Sequence, residues 1–267
     1  EGGGESVRVR PGNLSPAAER ASSGVVAVSD EVIAAAGRGE EAAVLAWLDG
    51  GGRVDATFEY TFACGSHVSG MTLLMVAMSH GHAGLAEALL RRGADTSLLT
   101  SDGISYALGL AAVNGHKKLV ELALRHGAEV NQQNNTCVTP LMDAAYKGHK
   151  RVVDTLIRHG AEIDIQDNDG DTALMFAALG GCPAVVLRLL RAGADVTLRD
   201  VGGETALQTA KEKGHAECVR ALEEHAAAKA AAEKAAKEAA WAAGAAERAA
   251  QRAAEEKEAA RHADELL

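Results

Sequence analysis

The stretch GHKRVVDTLIRHGAEIDIQDNDGD, residues 148–171, sets two histidines, His149 and His159, ahead of five carboxylates: Glu162, Asp164, Asp167, Asp169 and Asp171. Such residues could ligate a metal, close a calcium loop or supply a general acid and base. The spacing argues against each. Read as an EF-hand loop, residues 165–176 put Gly170 at the sixth position and Asp167 and Asp169 at the third and fifth. Positions one and twelve are then Ile165 and Phe176, where ligating carboxylates are required. The two histidines lie ten residues apart, nearly three helical turns, too far along an axis to share a ligand. A zinc reading has more material: Cys64-x-x-His67 followed by His80-Gly-His82 gives four plausible ligands within 19 residues. The chain has neither a GxxxxGK[ST] phosphate loop nor a GxSxG elbow.

The elements that would position these residues repeat. Gly81, Gly115, Gly148, Gly181 and Gly214 are spaced by 34, 33, 33 and 33 residues, each followed by His except Gly181, which Cys182 follows. Twelve residues after each of the first four stands another glycine (Gly93, Gly127, Gly160, Gly193), inside GADTS, GAEVN, GAEID and GADVT. A degenerate copy precedes them, with Gly39 and Gly51 at the same separation. A hydroxyl residue (Thr72, Ser105, Thr139, Thr172, Thr205) is expected to cap each first helix, accepting from the free N–H groups of its first turn. Pro140 suits a first helical position. Ala144, Ala145, Ala177 and Ala178 allow close helix approach, and Val152, Val153, Leu156 and Ile157 make one apolar face of a second helix. His82, His116, His149 and His215 then fill equivalent slots, so none needs a metal to explain it. The methionines at 71, 75, 78, 142 and 175 read as core. No catalytic residue, metal or cofactor is expected.

The period, the DxxGxTPL-like openings, the GHxxVVxxLL centres and the GADVN-like ends resemble the ankyrin repeat family over roughly residues 30–225. The resemblance implies an all-α solenoid of stacked helix-turn-helix repeats with β-turn fingers, and a role in binding proteins without catalysis. Three departures stand out. Met75, Met142, Met175 and Gln208 occupy the slot of the family's TPLH histidine. One extra residue in SYALGLAAVNGH is expected as a bulge or longer turn in the first helix of the second unit. Nine extra residues lengthen the first finger at 56–70, around FEYTFACGSHVSG, which is either a folded-back plug or a binding feature.

The resemblance places partner contacts on the finger tips and the exposed face of the first helices. Carried over residue by residue, the candidates are Ser101, Asp102, Ile104, Val113 and Asn114, then Asn135, Thr136, Val138, Tyr146 and Lys147. The fourth unit adds Asn168, Asp169, Asp171 and Leu179, and the fifth Glu204, Glu212 and Lys213. Tyr146 is the strongest of these, since tyrosine buries much area at low entropic cost.

The flanks are different material. Residues 1–29 are rich in Gly, Ser, Pro and Ala and read as a flexible extension. From Ala226 to Ala263, 21 of 38 residues are alanine, interleaved with Lys, Glu and Arg. High helix propensity and pairs such as Glu233–Lys237 predict a helical tail over 226–267. It serves as a solvated spacer, packs on a partner's helices, or stays a disordered solubilising tail. Trp241, its one aromatic residue, is a further candidate contact.

Composition narrows the partners. A formal charge of −10 over 267 residues argues against a nucleic-acid partner, which requires a clustered basic surface, and favours a protein partner with a neutral to basic surface. No run is long and apolar enough for a transmembrane helix, though a membrane-protein complex stays open as a partner. Cys64, Cys137, Cys182 and Cys218 form no CxxC pair and read as thiols of a reducing intracellular compartment, cytosol or organelle matrix or stroma. The residues from Glu1 onward show no signal-peptide pattern, and the closing DELL is not an ER-retention signal. The expected role is a scaffold or linker subunit holding one partner on the repeats and a second on the tail. The alternatives are a chaperone or targeting adaptor, or the regulatory part of an enzyme whose catalytic part lies elsewhere.

Overall fold

In the computed structural model, residues 27–63 and 65–264 are described, with side chains up to residue 252. Cys64 and nearly all of the expected N-terminal extension fall outside them. The helices come in pairs: α1 (Asp30–Arg38) and α2 (Glu41–Asp49), α3 (Leu73–His80) and α4 (Ala83–Arg91), α5 (Ala107–Val113) and α6 (Lys117–Arg125). They continue as α7 (Pro140–Tyr146) and α8 (Lys150–Arg158), α9 (Ala173–Leu179) and α10 (Pro183–Arg191), then α11 (Ala206–Glu212) and α12 (Ala216–Asp264). Between the first two pairs stands an antiparallel hairpin, β1 (Phe58–Thr61) with β2 (His67–Met71).

First helices pack on first helices, α3 on α5, α5 on α7, α7 on α9 and α9 on α11, while α4, α6, α8 and α10 form a parallel second layer. The core between the layers is aliphatic and alanine-rich: α7 packs on α8, and Leu141, Ala144 and Ala145 of the one and Val152, Val153 and Leu156 of the other are all buried. A single unit would leave much of this surface wet, so stability comes from stacking. The chain divides into two compact units at Ala221/Leu222.

The expected caps form at three of the five first helices. Thr72, Thr139 and Thr172 accept from the backbone N–H of Met75, Met142 and Met175 at 3.2, 3.3 and 3.4 Å. At α11 the chemistry reverses, because Gln208 replaces methionine and its Oε1 accepts from both the backbone N–H and the hydroxyl of Thr205. In the second unit Ser105 is not the cap. Tyr106 holds that position without a side-chain cap, and α5 is as long as α7, α9 and α11. The extra residue therefore lies in the finger, between Gly103 and Tyr106, and not within the first helix. Tyr106 is buried, and a Cβ on Gly109 would come within 2.9 Å of its ring. Gly109 stands where the neighbouring units carry Met142 and Met175, so the tyrosine ring fills the space the methionine leaves. Its hydroxyl donates to the Gln132 carbonyl at 3.0 Å, linking this unit to the next finger.

Candidate functional site

The paired Gly-His residues form a latch between units. His82, His116, His149 and His215 donate from Nε2 to the carbonyls of Gly37, Ser79, Val113 and Leu179, at 2.7, 3.0, 3.0 and 3.2 Å. Each acceptor closes the first helix of the preceding unit. Cys182 takes the same slot with a weaker contact, Sγ to the Tyr146 carbonyl at 3.6 Å. The preceding glycines are bare because the ring lies on them: a Cβ at Gly115 would approach the His149 ring to 2.7 Å. Gly115 also has φ +75°, a region that L side chains avoid. His149 and His159, the N-cap and C-cap residues of α8, are thus structural; His159 donates from Nδ1 to the Thr155 carbonyl at 2.8 Å.

The zinc-like residues are similarly engaged. His67 Nδ1 lies 2.8 Å from the Thr61 hydroxyl, and His80 sits between the Val76 carbonyl and the Tyr60 hydroxyl. Among the described residues no three His, Cys, Asp or Glu side chains converge to hold an ion. The long finger folds back: Tyr60 is buried, edge-on to Phe58, to Phe62 and to His80 of α3.

The fingers are joined tip to tip by backbone hydrogen bonds. Ser101 donates to the Ser69 carbonyl, Asn135 to Gly103, Asn168 to Thr136 and Val201 to Asp169, at 2.8, 2.9, 3.0 and 2.8 Å. Side chains reinforce the row, with Asn135 Nδ2 donating to the Asp102 carbonyl and Asn168 Nδ2 to that of Asn135. The carboxylate of Asp102 accepts from the Thr100 hydroxyl and the Ile104 N–H, holding it below its ordinary pKa. Asp167 accepts from the N–H of Asp169 and Asp171. Several fingertip candidates therefore spend their polar groups on the tip row itself. Cys137 is the one non-glycine residue with positive φ (62°) among those described, at the tip position that Gly103, Gly170 and Gly203 occupy in neighbouring fingers.

The first-helix candidates do come together. Val113, Tyr146, Leu179 and Glu212 fall in one slot of successive helices, and Asn114, Lys147 and Lys213 in the next. Tyr146 is 42% exposed, packs edge-on to Phe176 at 6.4 Å between centroids, and carries Lys147 Nζ 5.1 Å over its ring. Asn114 is less available, since its amide folds back onto the Leu110 carbonyl, and Lys213 pairs with Glu212 at 2.9 Å. Val113, Val138, Asp171, Leu179 and Glu204 are half-buried, whereas Ser101, Asp102, Ile104, Asn135, Thr136, Asn168 and Asp169 are exposed. Trp241 belongs to the C-terminal compact unit, 222–267, and is 72% exposed.

Sequence reasoning missed three members of this face. Asp143 and Phe176 sit 33 residues apart, in one slot of α7 and α9, a spacing the repeat makes visible. Burial raises the Asp143 carboxyl to about 7 against the opposing pull of Lys147. Asp171 rises to about 6, through burial first and then the charges of Asp167, Asp200 and Asp169. Val201, 79% exposed on the fifth fingertip, is the third.

Comparison with family models now agrees with the geometry. The model described as ankyrin repeats (3 copies) matches residues 73–167 and 108–200. Residues 73–200 are ankyrin repeats. Repeats of this family serve generally as protein–protein interaction modules and are typically non-catalytic. No curated protein matches the chain. Among the described residues no helix is long and apolar enough to cross a membrane.

Proposed function

We propose that this ankyrin-repeat chain is a scaffold or linker subunit that holds a partner protein on its finger and first-helix face. The observation that carries the reading is the Tyr146–Phe176–Lys147 cluster. It places an exposed aromatic in the middle of an aliphatic slot, on a frame whose fingers are already joined by backbone bonds. Binding to such a frame orders few groups, which favours affinity, and a half-exposed tyrosine gives a contact of the kind that dominates interfaces. Acidic groups on the same side (Asp102, Asp169, Asp171, Glu204, Glu212) favour a partner with a neutral to basic surface. The tail helix supports a second attachment through Trp241.

The test is affinity capture with the full chain, its Tyr146→Ala variant and a chain ending at His225. Tyr146→Ala is expected to weaken recovery of the principal partner about tenfold or more with an unchanged melting temperature. Full recovery by Tyr146→Ala together with loss on truncation would move the site to the tail.

A further inference from the structure

The opposite layer has the opposite electrostatic character. Lys117 of α6, Arg151, Asp154 and Arg158 of α8, and Arg188 of α10 line a groove of about 470 Å³ across three consecutive repeats. Two carboxylates fix part of this set. Asp154 holds Arg188 at 2.5 Å and Lys150 at 2.9 Å, and Glu121 holds Lys117 at 3.1 Å and Arg158 at 3.7 Å. Both stay below their ordinary pKa: for Glu121 the Lys117 hydrogen bond leads, and for Asp154 the bonds from Lys150 and Arg188 outweigh burial.

These carboxylates do not neutralise the groove. Five cations (Lys117, Lys150, Arg151, Arg158, Arg188) against two acids leave three positive charges in surplus, on a chain whose total is −10. Arg151 is exposed and meets no carboxylate among the described residues. Charge segregation of this kind attracts a negative segment locally while the remaining surface repels an extended polyanion. Planar guanidinium groups held by neighbouring carboxylates present spare N–H groups to further carboxylate oxygens, with little loss of rotamer freedom.

We propose that this groove docks a carboxylate-rich peptide segment of a partner protein, distinct from whatever occupies the finger face. Packed helices stand 8–10 Å apart, so three of them span roughly 20 Å, the reach of about six extended residues. A short acidic strand matches that length, with carboxylates meeting Arg151, Arg158 and the outer edge of Arg188.

Fluorescence anisotropy of the full chain with a labelled eight-residue Glu/Asp peptide tests it, beside a Gln/Asn peptide of equal length. Saturable binding of the acidic peptide is expected, weaker by about tenfold in Arg151→Gln/Arg158→Gln, weaker in high salt, and unchanged in Tyr146→Ala. Arg151→Gln alone breaks no ion pair within the chain, so a partial loss in that variant keeps the result independent of folding. Equal affinity for the Gln/Asn peptide, an unaltered affinity of the double variant, or no saturation by about 1 mM would overturn the proposal. So would binding of a phosphorylated peptide in the absence of any binding by the carboxylate one.

Discussion

His149 illustrates how a residue with catalytic potential serves structure. Its Nε2 satisfies the Val113 carbonyl at the end of the preceding first helix, where no intrahelical donor remains. His149→Ala leaves that acceptor without its partner and opens space over Gly115, so stability should fall by about 1–3 kcal/mol, read by urea denaturation with an unchanged slope. Asp143 acts in the other direction. Folding raises its pKa from 3.8 to about 7, so the folded state holds the proton more tightly than the unfolded chain. Its contribution favours folding below pH 4 and is lost as the pH rises through 7. Asp143→Asn should therefore stabilise the protein at pH 8 by on the order of 2–4 kcal/mol, have little effect near pH 4, and flatten the pH dependence between. Cys137→Gly, at a tip whose φ of 62° suits glycine, should raise stability by about 1 kcal/mol.

At the scale of elements, the 33-residue period alone was enough to locate the paired helices, their glycine stops and the fingers, because each follows from residue types at fixed offsets. The exchange of Tyr106 for a threonine cap and Gly109 for a methionine was not legible. It depends on a ring crossing to a space vacated three residues later, and the hydroxyl of Ser105 offered a false cap. The latch was half legible: recurrence showed that the histidines belong to the repeat, but the carbonyl they reach lies 36 residues earlier for His149. The outer groove was hidden because Asp154 and Arg188, 34 residues apart, each look like solvated helix-surface charges when taken singly. In the tail, α12 runs unbroken from Ala216 to Asp264, with an i,i+4 pair between Lys234 and Glu238. A peptide covering residues 222–264 should give a strongly helical circular dichroism spectrum at low temperature; a coil spectrum would show that the helix needs the repeats.

For the whole repeat unit, the two proposed binding faces, of opposite sign, lie on one stack of joined repeats. The first-helix and finger side exposes Tyr146 among aliphatic and acidic groups, and the second-helix side concentrates arginine. Because the units are joined by latches and by the fingertip row, the two faces cannot rearrange independently without breaking inter-unit bonds, a property suited to holding two partners in fixed register. Hydrogen exchange of the full chain, alone and with its captured partner, examines this most directly. Binding at the proposed face should slow exchange in segments 135–147 and 168–180, leaving α8 and α10 unaffected by that partner. Protection confined to α12, or to α8 and α10 with 135–147 unchanged, would contradict the assignment of the finger and first-helix face.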